Sequence, residues 1–118
     1  MAQSFGGYLR QRREELRATD PTFSVRQVAS RAGLEPSYLS KIERDEQPPP
    51  SEASIRALAG VLKDDPDVLL ALAGKVSADL QHIIQNRPRL FADLLRQLRD
   101  LPDHAVLRLV REVRDGKW

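Results

Sequence analysis

The chain contains no cysteine. Disulfides, thiol catalysis and thiolate-bound metal are therefore excluded, and a reducing cytosol is the compatible compartment. A cytoplasmic protein without metal or cofactor is expected. Aromatic residues make up only 5% of the chain, so Leu, Val, Ile and Ala must build most of any core. Long apolar runs are also missing. No stretch approaches the roughly 20 apolar residues needed to span a bilayer, and no apolar run follows a basic start, so neither an anchor nor a leader is expected. Charge of one sign is scarce too: the formal net charge is +2. Such a balance permits nucleic-acid binding without requiring it, and the position of the charges matters more than their sum. At 118 residues the chain is long enough for one compact domain, or for a small domain with an appended oligomerisation piece.

Strand alternation is absent as well, and the pattern that is present is helical. Phe5, Tyr8, Leu9 and Leu16 fall near one face of a segment that Ser4 can cap, while Gly6 and Gly7 weaken its first turn. "TDPT" breaks that helix. Ser24 caps a second helix, with Gln27 completing a capping box, and Val25, Val28, Ala29 and Ala32 turned inward. Gly33 stops it. Pro36 opens a third helix with Leu39 and Ile42 inside, and Pro48, Pro49 and Pro50 end it. Ser51, with Ser54 close behind, starts a fourth through Ile55, Leu58, Ala59 and Leu62. Either Asp65 or Asp67 caps a fifth, which Gly74 ends. A sixth follows Ser77, a seventh carries Leu90 to Leu98, and an eighth starts at Pro102.

Two short helices joined by "AGLEPS", the second followed by a proline stop, match the helix-turn-helix plan. In that plan the first helix crosses the DNA backbone and the second enters the major groove. The plan needs a small residue where the helices cross, here Ala29, and a glycine at the tight turn, here Gly33. Leu34, Leu39 and Ile42 must pin the second helix so that its other face is offered rigidly. Removing those core positions leaves Pro36, Ser37, Tyr38, Ser40, Lys41 and Arg44 outward. Lys can donate to guanine, hydroxyls bond either way, and an aromatic edge can meet a thymine methyl.

The stretch "SVRQVASRAGLEPSYLSKIERDEQPPPSEASIRALAGVL" resembles the Cro/repressor-type helix-turn-helix family, also called the xenobiotic-response-element (XRE) type. The resemblance spans residues 4 to 73 and rests on Ser24, Ala29, Ala32-Gly33, Ser37 and the Leu39-to-Arg44 run. It implies an all-α, five-helix domain that represses transcription as a dimer on a palindromic operator. It further implies that Ser37, Tyr38 and Lys41 look into the groove, with Arg44 near phosphate; the outward Pro36 and Ser40 are expected to join the base-facing set. Two departures stand out. Val25 occupies the place of a phosphate-binding Gln, so Arg26 or Gln27 takes over that contact, and Asp45 follows Glu-Arg where the family usually has Gly. Arg26 sits where helix amides also point outward. On the first helix Arg10, Arg12, Arg13 and Arg17 either reach phosphate or pair with Glu14 and Glu15, and Arg13 is expected among the phosphate contacts. Glu43 is expected to cap or pair locally.

The organisation expected is a DNA-binding domain over 1–74 and a helical oligomerisation region over 75–118. In the latter, Leu90, Phe91, Leu94 and Leu98 and then Val106, Leu109, Val110 and Val113 form apolar stripes that need a partner surface. These stripes either pack back on the DNA-binding domain or form a homodimer core, and the homodimer is the expectation, because two modules related by symmetry double the readout. The back half also resembles small repressors encoded beside ImmA/IrrE-type metallopeptidases, which implies relief of repression by cleavage. The rival readings are an antitoxin that holds a toxin with its tail, and an adaptor that has lost DNA. An enzyme is not expected: His82 and His104 lack metal spacing, and no nucleophile elbow, phosphate-cradling loop or HExxH occurs.

Overall fold

A computed structural model provides the structure of the chain and describes residues 3–118. Among the described residues there are eight α-helices, one 3-10 turn and no strand. They are α1 (Phe5–Arg17), the turn Pro21–Phe23, α2 (Val25–Ala32), α3 (Pro36–Glu43), α4 (Glu52–Val61), α5 (Pro66–Leu72), α6 (Ala78–Asn86), α7 (Pro88–Leu98) and α8 (Asp103–Asp115). The chain divides into two compact units, one ending at Ser77 and the other starting at Ala78.

In the first unit the helix starts follow from short polar side chains that accept a free amide. Ser4 accepts from Gly7 at 2.9 Å, Ser24 from Gln27 at 3.3 Å, Ser51 from Ser54 at 3.3 Å, and Asp65 from Asp67 at 2.9 Å. Asp65 rather than Asp67 is thus the cap of α5. Gly33 closes α2 at φ 72°, a left-handed conformation that costs glycine nothing.

The core gathers Phe5 and Leu9 of α1, Phe23, Val28, Ala29 and Ala32 around α2, Leu39 and Ile42 of α3, Ile55, Leu58, Ala59 and Leu62 around α4, and Leu69 and Leu70 of α5. Ala29 is fully buried, which lets α2 lie close against its neighbours α3 and α4. Side chains of α1 tie down the far end of α4. The Arg12 guanidinium donates to the Leu62 and Lys63 carbonyls at 3.0 and 3.2 Å, and the Tyr8 hydroxyl donates to Asp64 at 2.6 Å. That bond, then burial, then the Asp64 charge, holds the Tyr8 pKa above its ordinary value.

The second unit is built differently. No residue of α6, α7 or α8 is buried, and only Ile84, Phe91, Leu98, Ala105 and Val106 are half-buried. Leu90 stays 69% exposed and Val113 66%.

Candidate nucleic-acid interface

The second helix of the pair, α3, is held from inside by three of its own side chains. Leu39 and Ile42 are each 1% exposed, and Glu43 is 7% exposed. Glu43 takes both oxygens into a fork from Arg13 of α1: Nε at 2.8 Å and Nη2 at 2.9 Å. The remaining guanidinium contacts are the Phe23 carbonyl at 3.2 Å and Glu14 at 3.1 Å. Bonding to Glu43 raises the Arg13 pKa against the desolvation that opposes it. Two sequence expectations are corrected here. Arg13 is a buried ion-pair partner rather than a phosphate contact, since its side chain is only 4% exposed and its fork is filled. Glu43 pairs not locally but with a residue 30 positions away.

With that inner face pinned, the outer face of α3 presents Ser37 and Lys41, both exposed, one turn apart. Pro36 and Ser40 are half-exposed beside them. Tyr38 is also half-buried and packs on the core, so its ring is shared between the support and the outer surface. Arg44 lies at the C-terminal end, donating to Ser40 Oγ at 2.6 Å and to Glu46 through Nε and Nη2 at 3.1 and 2.8 Å. This pair keeps the Arg44 pKa above and the Glu46 carboxyl below their ordinary values, by hydrogen bonding first and charge second.

At the start of α2, Arg26 and Gln27 are exposed, whereas Val25 packs toward the core. The Gln27 amide goes to Ser24, and helix geometry leaves the Val25 and Arg26 amides without intrahelical acceptors. A depression of about 170 Å³ opens beside them, lined by Arg10, Arg13, Val25, Ser40, Glu43 and Arg44. Arg10 is exposed on its rim and has no ion pair among the described residues. On α1 both Arg10 and Arg17 are exposed while Arg13 is not, and Arg10 is the exposed one that lines this depression. The spacing held this signal: Phe5, Leu9 and Arg13 recur every fourth residue on the buried stripe, and Arg10 falls off it.

Two short helices meeting through a Gly33 turn, one pinned and facing out with Ser37 and Lys41, is the helix-turn-helix arrangement. A family model described as a helix-turn-helix domain matches residues 4–72. The chain belongs to the helix-turn-helix domain family. The matched region covers α1 to α5, so residues 4–72 of the first unit are the helix-turn-helix domain, a DNA-binding module of regulators. No curated protein and no solved structure matches the chain. No helix among the described residues is long and apolar enough to cross a membrane.

Proposed function

We propose that the protein is a sequence-specific repressor of the Cro/repressor type, acting as a homodimer that lays α3 in the major groove of a palindromic operator. The observation that carries this reading is the asymmetry of α3. Its inner face is locked by Leu39, Ile42 and the Arg13–Glu43 fork, and its outer face offers Ser37 and Lys41 next to the exposed start of α2. Base-edge reading needs such rigidity, because a donor that wanders loses its discrimination. Pro36, Ser37, Tyr38, Ser40 and Lys41 are the base-facing set. Arg26, Gln27 and Arg44 are the phosphate set, and Arg10, exposed on the rim of the neighbouring depression, is added to it on this reading.

The second unit supports the homodimer. Leu94, Leu98, Val106, Leu109, Val110 and Val113 line an almost wholly apolar groove of about 470 Å³ between α7 and α8. About 40 residues without a buried core do not ordinarily fold unaided, and a second copy supplies the missing surface. The same groove favours the second reading, an antitoxin whose tail holds a toxin. An ImmA/IrrE-type peptidase would act on this exposed tail and relieve repression.

The test is a gel-shift titration with the duplex immediately upstream of the protein's own coding sequence. Retention that survives an unrelated duplex competitor is the expected result. Binding erased equally by any DNA rejects the sequence-specific reading. Replacing Lys41 by Ala is expected to cost about 1–3 kcal/mol on the specific duplex and little on the competitor, whereas Arg26→Ala weakens both alike. Sedimentation of the protein alone at two copies favours the homodimer, and a single copy that binds a toxin favours the second reading.

A further inference from the structure

Gly6 sits in the first turn of α1, where glycine weakens a helix. Its position answers why it is there. A Cβ on Gly6 would overlap the Ile42 carbonyl oxygen and come 2.7 Å from the Asp45 carboxylate and 3.1 Å from the Ile42 carbonyl carbon. Backbone therefore rests on backbone, the start of α1 against the C-terminal end of α3. Gly60 in α4 lacks any such contact: a Cβ there would meet nothing within 4 Å.

The same joint holds the residue that follows α3. Asp45 stands at φ 60°, a left-handed backbone that usually calls for glycine. Its amide donates to the Ile42 carbonyl at 3.0 Å, and the Glu46 amide donates to the Lys41 carbonyl at 2.8 Å, closing α3. Its carboxylate accepts from Ser4 Oγ at 3.0 Å, tying this end of α3 to the residue that caps α1. Ser4, Gly6, Ile42 and Asp45 thus form one small joint, and Lys41 is bonded through its own carbonyl to the turn that the joint fixes.

We propose that Gly6 is a positioning residue for DNA reading, one whose missing side chain sets the seat of the recognition helix on α1. The inference rests on the DNA-binding reading above. A methyl group at position 6 must push the end of α3 away: the Asp45 carboxylate can rotate aside, but the Ile42 carbonyl is backbone and cannot. A binding constellation tolerates displacements of about 0.5 Å. Base contacts from an eight-residue helix are sensitive on that scale, whereas phosphate contacts from long flexible side chains follow a small shift.

The experiment selects a duplex from a randomised pool with the wild-type chain, then measures affinity for that duplex and for a scrambled one. For Gly6→Ala the preference is expected to fall by about tenfold or more, with scrambled binding and helical circular dichroism retained, while Gly60→Ala, a helical glycine whose added Cβ meets no atom within 4 Å, keeps the wild-type preference. A folded Gly6→Ala protein with wild-type preference, or with equal losses on both duplexes, overturns the proposal. Should Gly6→Ala fail to fold, it is made in an Asp45→Gly background, which keeps the left-handed turn and removes the carboxylate 2.7 Å from the new Cβ, and the double variant is expected to show about tenfold less preference than Asp45→Gly alone. Equal preference in those two proteins then overturns it. If the wild-type chain selects no sequence at all, the DNA reading itself has failed and takes this inference with it.

Discussion

Helices α2 and α7 look alike as sequence, each with an apolar stripe at helical spacing, yet they end in different surroundings. In α2 the stripe Val28, Ala29 and Ala32 is buried against α3 and α4. In α7 the stripe Leu90, Leu94 and Leu98 has no buried member, and the exposed Leu95 lies beside it. The difference extends to the units that contain them. Residues 3–77 close a core from both ends of the chain segment, with Phe5 and Leu70 in one cluster. Residues 78–118 expose Leu90, Val110 and Val113 by more than half. An amphipathic period states that a face must be covered; it does not state by what.

The largest expected effect breaks the first unit. Glu43→Ala leaves the Arg13 guanidinium buried without its fork and is expected to cost about 3–5 kcal/mol in urea unfolding. Replacing both partners by apolar residues of similar volume is expected to recover most of that loss. If the single and double variants are equally unstable, the fork is not what holds α3. Next comes a direct contrast of the two units. Leu58→Ala in the core is expected to cost about 2–5 kcal/mol. Leu94→Ala on the exposed groove should change the unfolding of the first unit by no more than about 0.5 kcal/mol, and should instead shift sedimentation of a dimer toward a single copy.

Smaller effects sharpen the picture of how the first unit is tied. Tyr8→Phe removes the bond to Asp64 and is expected to cost about 1.5 kcal/mol by the same urea titration. Asp20 accepts from the Thr22 hydroxyl at 2.7 Å and its amide at 2.9 Å, and these bonds hold its carboxyl below the ordinary value of 3.8. Because the folded value is depressed, the contribution is present above the unfolded value and lost as pH falls through the folded one. Asp20→Ala should therefore lower Tm slightly at neutral pH, with the gap to wild type closing in stronger acid. A gap that persists there would assign the effect to backbone preference instead.

Much of the fold was legible because it rests on local chemistry. Ser4, Ser24 and Ser51 begin helices by accepting amides three residues on, Gly33 ends one with a positive φ, and the prolines after α3 forbid its continuation. The outward set on α3 was legible by subtraction, once Leu39 and Ile42 were assigned inward. Charged residues were the weak point. Arg13 reads as an outward cation on charge alone, although its fourth-residue spacing from Phe5 and Leu9 puts it on the inner stripe. Its partner could not be read, since Glu43 lies 30 residues away and no period links the two.

The sequence by itself determined where the helices start and stop and which faces are apolar, because caps, turns and periodicity act within a few residues. Tertiary structure decided what those faces and charges meet. It turned Arg13 inward against Glu43, left Arg10 outside, and set the bare backbone of Gly6 on the end of α3. Such contacts join residues tens of positions apart, and their energies depend on distances of a few ångströms that no local pattern encodes.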